Sequence, residues 1–210
     1  ACAYFLSQAG CRVTVMERAE FGMGCSHGNC GLICPSHVLP LAVPGAAGDA
    51  WKALLSADSP LYIKPRLSPS LWGWLYRFWR RCNEHDMMES ARGIHALVGS
   101  SRSLYDELIR TESLDAEWET RGALFVFRTA AGMEHYAQTD RLVRDTFGVG
   151  ATRYDGEAAR ELEPALKPGL AGAWHQPLDA HLRPDKLLAS WRRVLERRGV
   201  RVREQCEFLG

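Results

Sequence analysis

The sequence predicts an α/β fold, and three observations at its start point to this class. Residues 1–9 have the composition and spacing of a short helix. Gly10 ends that helix, since glycine adopts the left-handed backbone that helix ends often use. Residues 12–16 then read as an apolar strand, and Glu17 follows this strand directly.

A helix, a glycine and a short strand ending in a carboxylate form the second half of a βαβ unit of the dinucleotide-binding type. In such units the carboxylate accepts hydrogen bonds from the hydroxyls of the adenosine ribose. The phosphate-binding glycines precede that carboxylate by about 20 residues. Counted back from Glu17, they would precede residue 1. We therefore expect a fragment whose Rossmann-like domain lacks its first strand and its glycine loop.

Composition places the chain among ordinary globular proteins, with 210 residues, 46% hydrophobic and 24% charged. A net charge of +1 argues against a nucleic-acid partner. No apolar run approaches the ~20 residues that cross a bilayer. The seven cysteines lack the CxxC pairs of zinc sites, so no metal site is predicted. We expect reduced thiols, packed like small apolar residues, and a cytoplasmic protein.

A loop over residues 21–31 follows the strand and holds four glycines within ten residues. Glycine allows positive φ angles and a close approach of the backbone to a ligand. The position directly after the ribose carboxylate favours a ligand-binding loop, and a flexible surface loop is the alternative. His37 is a candidate for contact with a substrate; a packed or capping histidine is the alternative. Tyr62 and Arg66 are two further candidates.

Beyond this loop a stretch rich in proline, alanine and glycine indicates a passage into a second domain. The periodicity predicts further helices over 70–82, 87–111, 131–147, 156–162 and 184–198. In the second of these we expect an inward face of Ile94, Leu97, Val98, Leu104 and Leu108. The predicted strands are 122–128, 151–154, 170–176 and 200–202.

Trp72, Tyr76 and Trp79 recur at helical spacing, and the same helix carries Arg77, Arg80 and Arg81 at its end. We favour burial of the aromatic side chains of this helix (Trp72, Trp74, Tyr76, Phe78 and Trp79) in a core, since large aromatic side chains are buried on average. The alternative is a helix that rests on a membrane surface, where the protein would pass electrons to a quinone.

The order of these elements resembles the FAD-dependent amino-acid oxidoreductases of the D-amino-acid oxidase superfamily, and within it the bacterial D-amino-acid dehydrogenases. The Glu17-Arg18 pair occurs in many flavoproteins, whereas the ordered set of segments is more specific. That set covers nearly the whole chain and consists of residues 3–10, 13–18, 25–31, 72–74, 121–124, 162–166 and 179–184.

The resemblance implies FAD as the cofactor, with Glu17 on the adenosine ribose and Arg18 beside it. It implies that the stretch from the pyrophosphate to the flavin is lined by Cys25, Ser26, Asn29, Gly31 and Leu32. The family usually has threonine or serine at Cys25 and small residues at His27 and Cys30. It also implies three regions: an FAD-binding part (1–45), an inserted α+β substrate domain (46–175) and a return to the FAD-binding domain (176–210).

The implied reaction oxidises a D-amino acid to a 2-oxo acid and ammonia by hydride transfer to the flavin. The arginine that clamps the substrate carboxylate is expected beyond residue 210, so no catalytic residue is assigned. The 210 residues alone are therefore expected to be inactive and to lack tightly bound flavin. Two alternatives stay open: oxidation of a secondary amine such as sarcosine, proline or hydroxyproline, and a non-catalytic remnant. A quinone or other electron acceptor and peripheral contact with the inner face of the cell membrane are the further partners considered.

Overall fold

The computed structural model describes residues 1–46, 48 and 68–209. In chain order the elements are α1 (Cys2–Gln8), β1 (Thr14–Met16), β2 (Leu32–Ile33), α2 (Pro69–Arg81), α3 (Glu84–Glu112), β3 (Ala123–Phe127), α4 (Ala130–Phe147), β4 (Thr152–Asp155), α5 (Gly156–Leu162), β5 (Gly172–Gln176), β6 (Ala180–His181), α6 (Pro184–Arg197) and β7 (Arg201–Arg203). The predicted helices and strands are all present, with ends displaced by a few residues. Two short strands, β2 and β6, were not predicted. Tyr62 and Arg66 lie outside the described residues.

The chain divides into two compact units. The larger unit combines Ala1–Ser36 with the chain from Ser101 onward, and the smaller unit is His37–Ser100. The division falls within the long helix α3, so this helix contributes to both units. The domain limits expected from the resemblance (1–45, 46–175 and 176–210) assign cofactor and substrate roles, and they stay a prediction.

The larger unit contains a parallel pair of strands, in which β1 lies beside β7. Thr14 is opposite Arg201 and Met16 is opposite Arg203. Parallel neighbours require a crossover, and here the crossover is almost the entire intervening chain. Helices α1 and α6 each precede one of these strands, and each is followed by a glycine in the left-handed region, Gly10 and Gly199.

A second sheet in the larger unit is antiparallel and has the strand order β3-β5-β4. Phe125 lies opposite Trp174, and both side chains contact Tyr136 of α4. With Met133 and Ala151 these residues form a compact apolar cluster on the helix side of the sheet. The central strand β5 is buried at four of its five residues, Gly172, Ala173, Trp174 and Gln176.

Buried hydrogen bonds fix the end of α4 against the start of β4. The Asp140 carboxylate accepts from the Ala151 N–H at 2.6 Å and from the Arg144 guanidinium at 2.7 Å. Arg144 also donates to the Ala151 carbonyl oxygen. Gly148, at a φ of 69°, supplies the left-handed residue that turns the chain out of the helix. The buried Asp140 carboxylate thus has a charged partner, Arg144, and a backbone partner, Ala151, both within 11 residues of it in the sequence.

The main core of the larger unit joins helices from both ends of the sequence. Its buried apolar residues include Tyr4 of α1, Leu195 of α6 and Val200 just before β7. Tyr4 is 3% exposed, and its hydroxyl donates to Glu112 Oε1 at 2.7 Å. Arg198 donates to the same carboxylate oxygen and lies over the Tyr4 ring, 4.5 Å from its centroid. The Glu112 carboxylate at the end of α3 is therefore hydrogen-bonded both to α1 and to the residue that follows α6.

The charge around Tyr4 also shifts two pKa values. Burial, and then the neighbouring Glu112 carboxylate, raise the pKa of the Tyr4 hydroxyl above its usual value. The hydrogen bonds from Tyr4 and Arg198 lower the pKa of Glu112. A lowered carboxyl pKa stabilises the fold above the unfolded pKa, and this contribution is lost as the pH falls through the folded value.

The short pair of β2 and β6 is antiparallel, with Leu32 opposite His181. The Leu182 N–H donates to the Gly31 carbonyl oxygen at 3.0 Å, which extends the pair by one step. Gly31 has a φ of 67°, and a Cβ added there would fall on the Leu182 carbonyl oxygen. Only glycine fits this position, for reasons of both backbone angle and space.

In the smaller unit, helix α2 has two different long sides. Ser68 caps its start, and its hydroxyl accepts from the Leu71 N–H. The side that carries Leu71, Leu75 and Phe78 is half-buried. The aromatic stripe of Trp72, Tyr76 and Trp79 is exposed, with exposed fractions between 57% and 59%. Trp74 is 53% exposed as well, and Phe78 is half-buried, so the favoured burial of these aromatic side chains in a core is wrong for four of the five.

Two other expectations about burial need correction. In α3, Leu97 is 71% exposed and Leu104 is 40% exposed, although both were expected to face inward. Met87 and Ala91 are buried instead, because the face that meets a neighbour is rotated from the predicted one. All seven cysteines are free, as expected, but the thiols are not generally packed: those at Cys2, Cys11, Cys25 and Cys30 are exposed.

None of the helices within residues 1–46, 48 and 68–209 has the combined length and apolar character needed to cross a membrane. The longest, α3, carries charged residues along its length, among them Glu84, Arg92 and Asp106. This agrees with the lack of a long apolar run in the sequence.

We expect Tyr4→Phe to lower the free energy of unfolding by ~1 kcal/mol, because a buried hydrogen bond to a carboxylate is lost while the ring remains. Urea denaturation would measure the change. Tyr76→Phe is the matched control, since Tyr76 is 57% exposed. Equal stability of the two variants would contradict a structural role for the Tyr4 hydroxyl.

Gly31→Ala should destabilise the protein by about 1–2 kcal/mol from the left-handed backbone alone, and by more through the collision with Leu182. Gly28→Ala, in the same loop, should leave stability unchanged because open space surrounds that position. Denaturation midpoints compare the two. A Gly31→Ala variant as stable as Gly28→Ala would show that this turn is free to rearrange.

Candidate functional site

The backbone ladder at the end of β1 positions Glu17. The Glu17 N–H donates to the Arg203 carbonyl oxygen, and the Cys206 N–H donates to the Glu17 carbonyl oxygen, both at 2.9 Å. The strand prediction for residues 12–16 is confirmed in Thr14–Met16, which places Glu17 at the carboxyl end of β1. In open α/β sheets, ligands bind at this end of the strands.

The Glu17 side chain is half-buried and makes one hydrogen bond to its own turn. Its Oε1 accepts from the Ala19 N–H at 3.0 Å. Within the part of the chain that the structure describes, Oε2 accepts no hydrogen bond. The turn therefore fixes the carboxylate through one oxygen and leaves the other able to accept from a ligand hydroxyl. Arg18, the next residue, is exposed.

The glycine-rich loop after β1 is an exposed series of turns, in which Cys25, Ser26 and Asn29 are all exposed. Asn29 organises its end: the amide nitrogen donates to the Ser26 carbonyl oxygen at 2.8 Å. The Asn29 Oδ1 accepts from the Gly31 N–H, also at 2.8 Å. Three of the residues expected to line a cofactor are thus linked to one another. Open space lies around Gly24 and Gly28, so a ligand could approach the backbone there.

The two remaining predicted residues, Leu32 and His37, precede and follow Ser36 in the sequence. Leu32, the first residue of β2, is 53% exposed. His37 is exposed and belongs to the smaller unit. A role for His37 toward a substrate stays a prediction, as do the cofactor roles of the loop residues.

Asp179 is fully buried at 0% exposure and is hydrogen-bonded to Ser36 through both carboxylate oxygens. Its Oδ1 accepts from the Ser36 N–H at 3.0 Å, and its Oδ2 accepts from the Ser36 hydroxyl at 2.7 Å. Burial, and then the Asp179 charge, raise the pKa of the nearby Cys34 thiol to about 11. These contacts attach the segment after the loop to the turn between β5 and β6.

Sequence reasoning did not single out this polar group. Asp179 and Ser36 are 143 residues apart, and neither stands in a pattern that identifies a pair. One sign was available: Asp179 lies between two apolar residues, Leu178 and Ala180, in a segment that carried the resemblance. A carboxylate between apolar neighbours often has a specific buried partner.

The described residues fit the adenosine part of FAD by the chemistry of their donors and acceptors. Glu17 offers a free carboxylate oxygen at the end of a parallel strand, which suits ribose hydroxyls. The loop that follows offers exposed backbone and open glycine positions. The buried Ser36–Asp179 pair holds the exit of that loop in place. These donors and acceptors suit a nucleotide.

Comparison with known proteins agrees with this geometry. The sequence profile of the family DAO, FAD dependent oxidoreductase, matches residues 1–210. The D-amino acid dehydrogenase of Methylobacterium nodulans is 33% identical over 211 residues, covering 97% of this chain and 49% of the relative. D-amino acid dehydrogenase 2 of Ralstonia nicotianae is 34% identical, covering 89% and 43%. The chain spans about half the length of these curated relatives.

Solved structures share the fold at lower sequence identity. Glycine oxidase from Geobacillus kaustophilus superposes with a TM-score of 0.66 at 17% identity, covering 97% of this chain and 42% of that one. Glycine oxidase from Bacillus cereus gives a TM-score of 0.64 at 17% identity, with the same coverage of both chains. The matched profile spans the chain from its first residue to its last, and the chain belongs to the DAO family of FAD-dependent oxidoreductases.

Proposed function

We propose that the protein oxidises D-amino acids to 2-oxo acids and ammonia, with FAD as the cofactor. The observation that carries this proposal is the match to D-amino acid dehydrogenases along 97% of the chain at 33% identity. The geometry of Glu17 supports it, because its carboxylate ends a strand of the dinucleotide-binding type with one oxygen free. The chain spans 49% of that relative, so the proposal concerns the protein as a whole.

The residues of this chain bind and orient the cofactor in the proposed mechanism. Glu17 accepts hydrogen bonds from the ribose hydroxyls, and Arg18 lies beside it. Backbone of the loop from Cys25 to Leu32 would line the pyrophosphate and the flavin, and the Ser36–Asp179 pair holds the end of this segment in place. When bound, FAD would supply the hydride acceptor for oxidation of the substrate amine to an imine, and hydrolysis of the imine would give the 2-oxo acid and ammonia.

We further propose that electrons pass to a quinone or a similar acceptor and that the protein contacts the membrane from its cytoplasmic side. The exposed aromatic stripe of α2 supports a membrane contact, since tryptophan and tyrosine favour the interface between water and lipid. The seven free cysteines are in keeping with a reducing compartment. Helix α2 is long enough to lie on a membrane surface.

The proposed activity predicts that D-amino acids bleach the flavin of the complete chain that its gene encodes. Under anaerobic conditions, we expect D-alanine or another D-amino acid to remove the absorbance of oxidised flavin, while the L-enantiomers leave it unchanged. Ammonia and 2-oxo acid should appear in equal amounts. Bleaching by sarcosine or proline alone would favour a secondary-amine substrate. A purified complete chain without flavin would overturn the redox proposal.

Glu17→Gln should weaken FAD binding at least about tenfold, because hydrogen bonds to a charged acceptor contribute more than those to a neutral amide. Fluorescence titration of the deflavinated protein with FAD would give the dissociation constants. Glu20→Gln is the matched control: Glu20 is exposed and lies three residues beyond Glu17. Equal affinity of both variants would exclude Glu17 from the ribose site.

A further inference from the structure

Helix α2 presents an aromatic surface to solvent that no described residue covers. Trp72, Tyr76 and Trp79 are spaced by four and three residues, so they form a single stripe along the helix. Each of the three is more than half exposed. Tyr76 and Trp79 are also in ring contact, with centroids 6.0 Å apart.

The half-buried residues of α2 lie on one side of this stripe and arginines lie on the other. Successive residues in a helix turn by about 100°, which places Leu71, Leu75 and Phe78 on one flank of the stripe. The opposite flank carries Arg80 and Arg77. The aliphatic flank is half-buried, while the aromatic stripe and the arginines are exposed.

The charge of α2 has a single sign. From Ser68 to Cys82 the sequence holds three arginines and no acidic residue. Arg81 forms an ion pair with Asp86 at 3.1 Å. Arg77 and Arg80 have no carboxylate partner in the part of the chain that the structure describes. Two unpaired guanidinium groups next to an exposed aromatic stripe favour an anionic, partly apolar partner.

We propose that the α2 surface, defined as Trp72, Tyr76 and Trp79 with Arg77 and Arg80, binds the headgroup region of a bilayer that contains anionic lipids. The indole and phenol rings enter the boundary between headgroups and acyl chains, and their N–H and O–H groups stay hydrated. The two arginines contact lipid phosphates. This inference rests on the membrane contact proposed above, and it names the surface and the lipid charge.

Two features favour a lipid surface over a protein partner. Large aliphatic residues are absent from the exposed stripe, whereas tryptophan and tyrosine are the residues enriched where bilayers meet water. The arginines run alongside the stripe and do not surround it, which suits a helix lying flat on a charged plane. A protein interface would more often ring its aromatic centre with mixed polar groups.

The test is flotation of the complete chain with vesicles of phosphatidylcholine alone and with vesicles that also contain phosphatidylglycerol. We expect binding to the anionic vesicles that weakens as salt is added. Trp72→Ser combined with Trp79→Ser should reduce binding at least about tenfold. Arg77→Gln combined with Arg80→Gln should reduce it by about fivefold for each charge removed.

Matched controls distinguish binding through the α2 surface from nonspecific binding and from loss of the fold. Leu97→Ser removes an apolar side chain that is 71% exposed on α3, and Arg92→Gln removes an exposed charge on the same helix. Both should bind vesicles like the unmodified protein. Circular dichroism of every variant should match that of the parent.

Several results would overturn the inference. They are a lack of flotation with either vesicle, equal binding to neutral and anionic vesicles, and unchanged binding in the tryptophan variant. A dimer in solution that the tryptophan variant dissociates, without vesicle binding, would assign the surface to a second copy instead. Flotation requires neither flavin nor substrate, so its failure leaves the redox proposal intact, and failure of flavin bleaching leaves the membrane inference intact.

Discussion

The parallel pairing of β1 with β7 is the constraint on which the rest of the larger unit depends. It joins residues 14–16 to residues 201–203 and thereby brings two distant parts of the chain into one sheet. Helices α1 and α6 lead into these strands and share one apolar core through Tyr4 and Leu195. The antiparallel sheet and the smaller unit are both inserted between the paired strands. Glu17 owes its position to this pairing, since Arg203 and Cys206 hold its backbone on both sides.

Local chemistry made most elements of this fold predictable. Asp155 accepts from the Ala158 N–H at the start of α5, and Gly199 follows the end of α6 in the left-handed conformation. The sequence could not show which strands would pair, because β1 and β7 are short and their register depends on the packing of α1 against α6. Periodicity also identified the aromatic stripe of α2 but did not show that this stripe would be exposed. That outcome depends on neighbours far along the chain.

In the candidate site, too, some features follow from neighbouring residues in the sequence, and others arise only from contacts between remote segments. Glu17 could be found from the helix, glycine and strand that precede it, because a ribose carboxylate has a fixed place in a βαβ unit. The need for glycine at position 31 comes from the Leu182 carbonyl oxygen, which only the folded chain brings near. The Ser36–Asp179 pair likewise forms between remote segments. Membership of the family explains why these segments occur in this order, and the geometry explains what each holds in place.

The raised pKa of Cys34 lowers the reactivity of this thiol toward oxidants. Peroxides and disulfides react with the thiolate form of cysteine far faster than with the thiol. With a pKa of about 11, Cys34 is almost entirely protonated near neutral pH, and it is also partly shielded. Of the three cysteines between β1 and Ser36, the exposed Cys25 and Cys30 are therefore more open to oxidants than Cys34. Oxidants reach the outer turns of the loop before the thiol beside the buried Ser36–Asp179 hydrogen bonds.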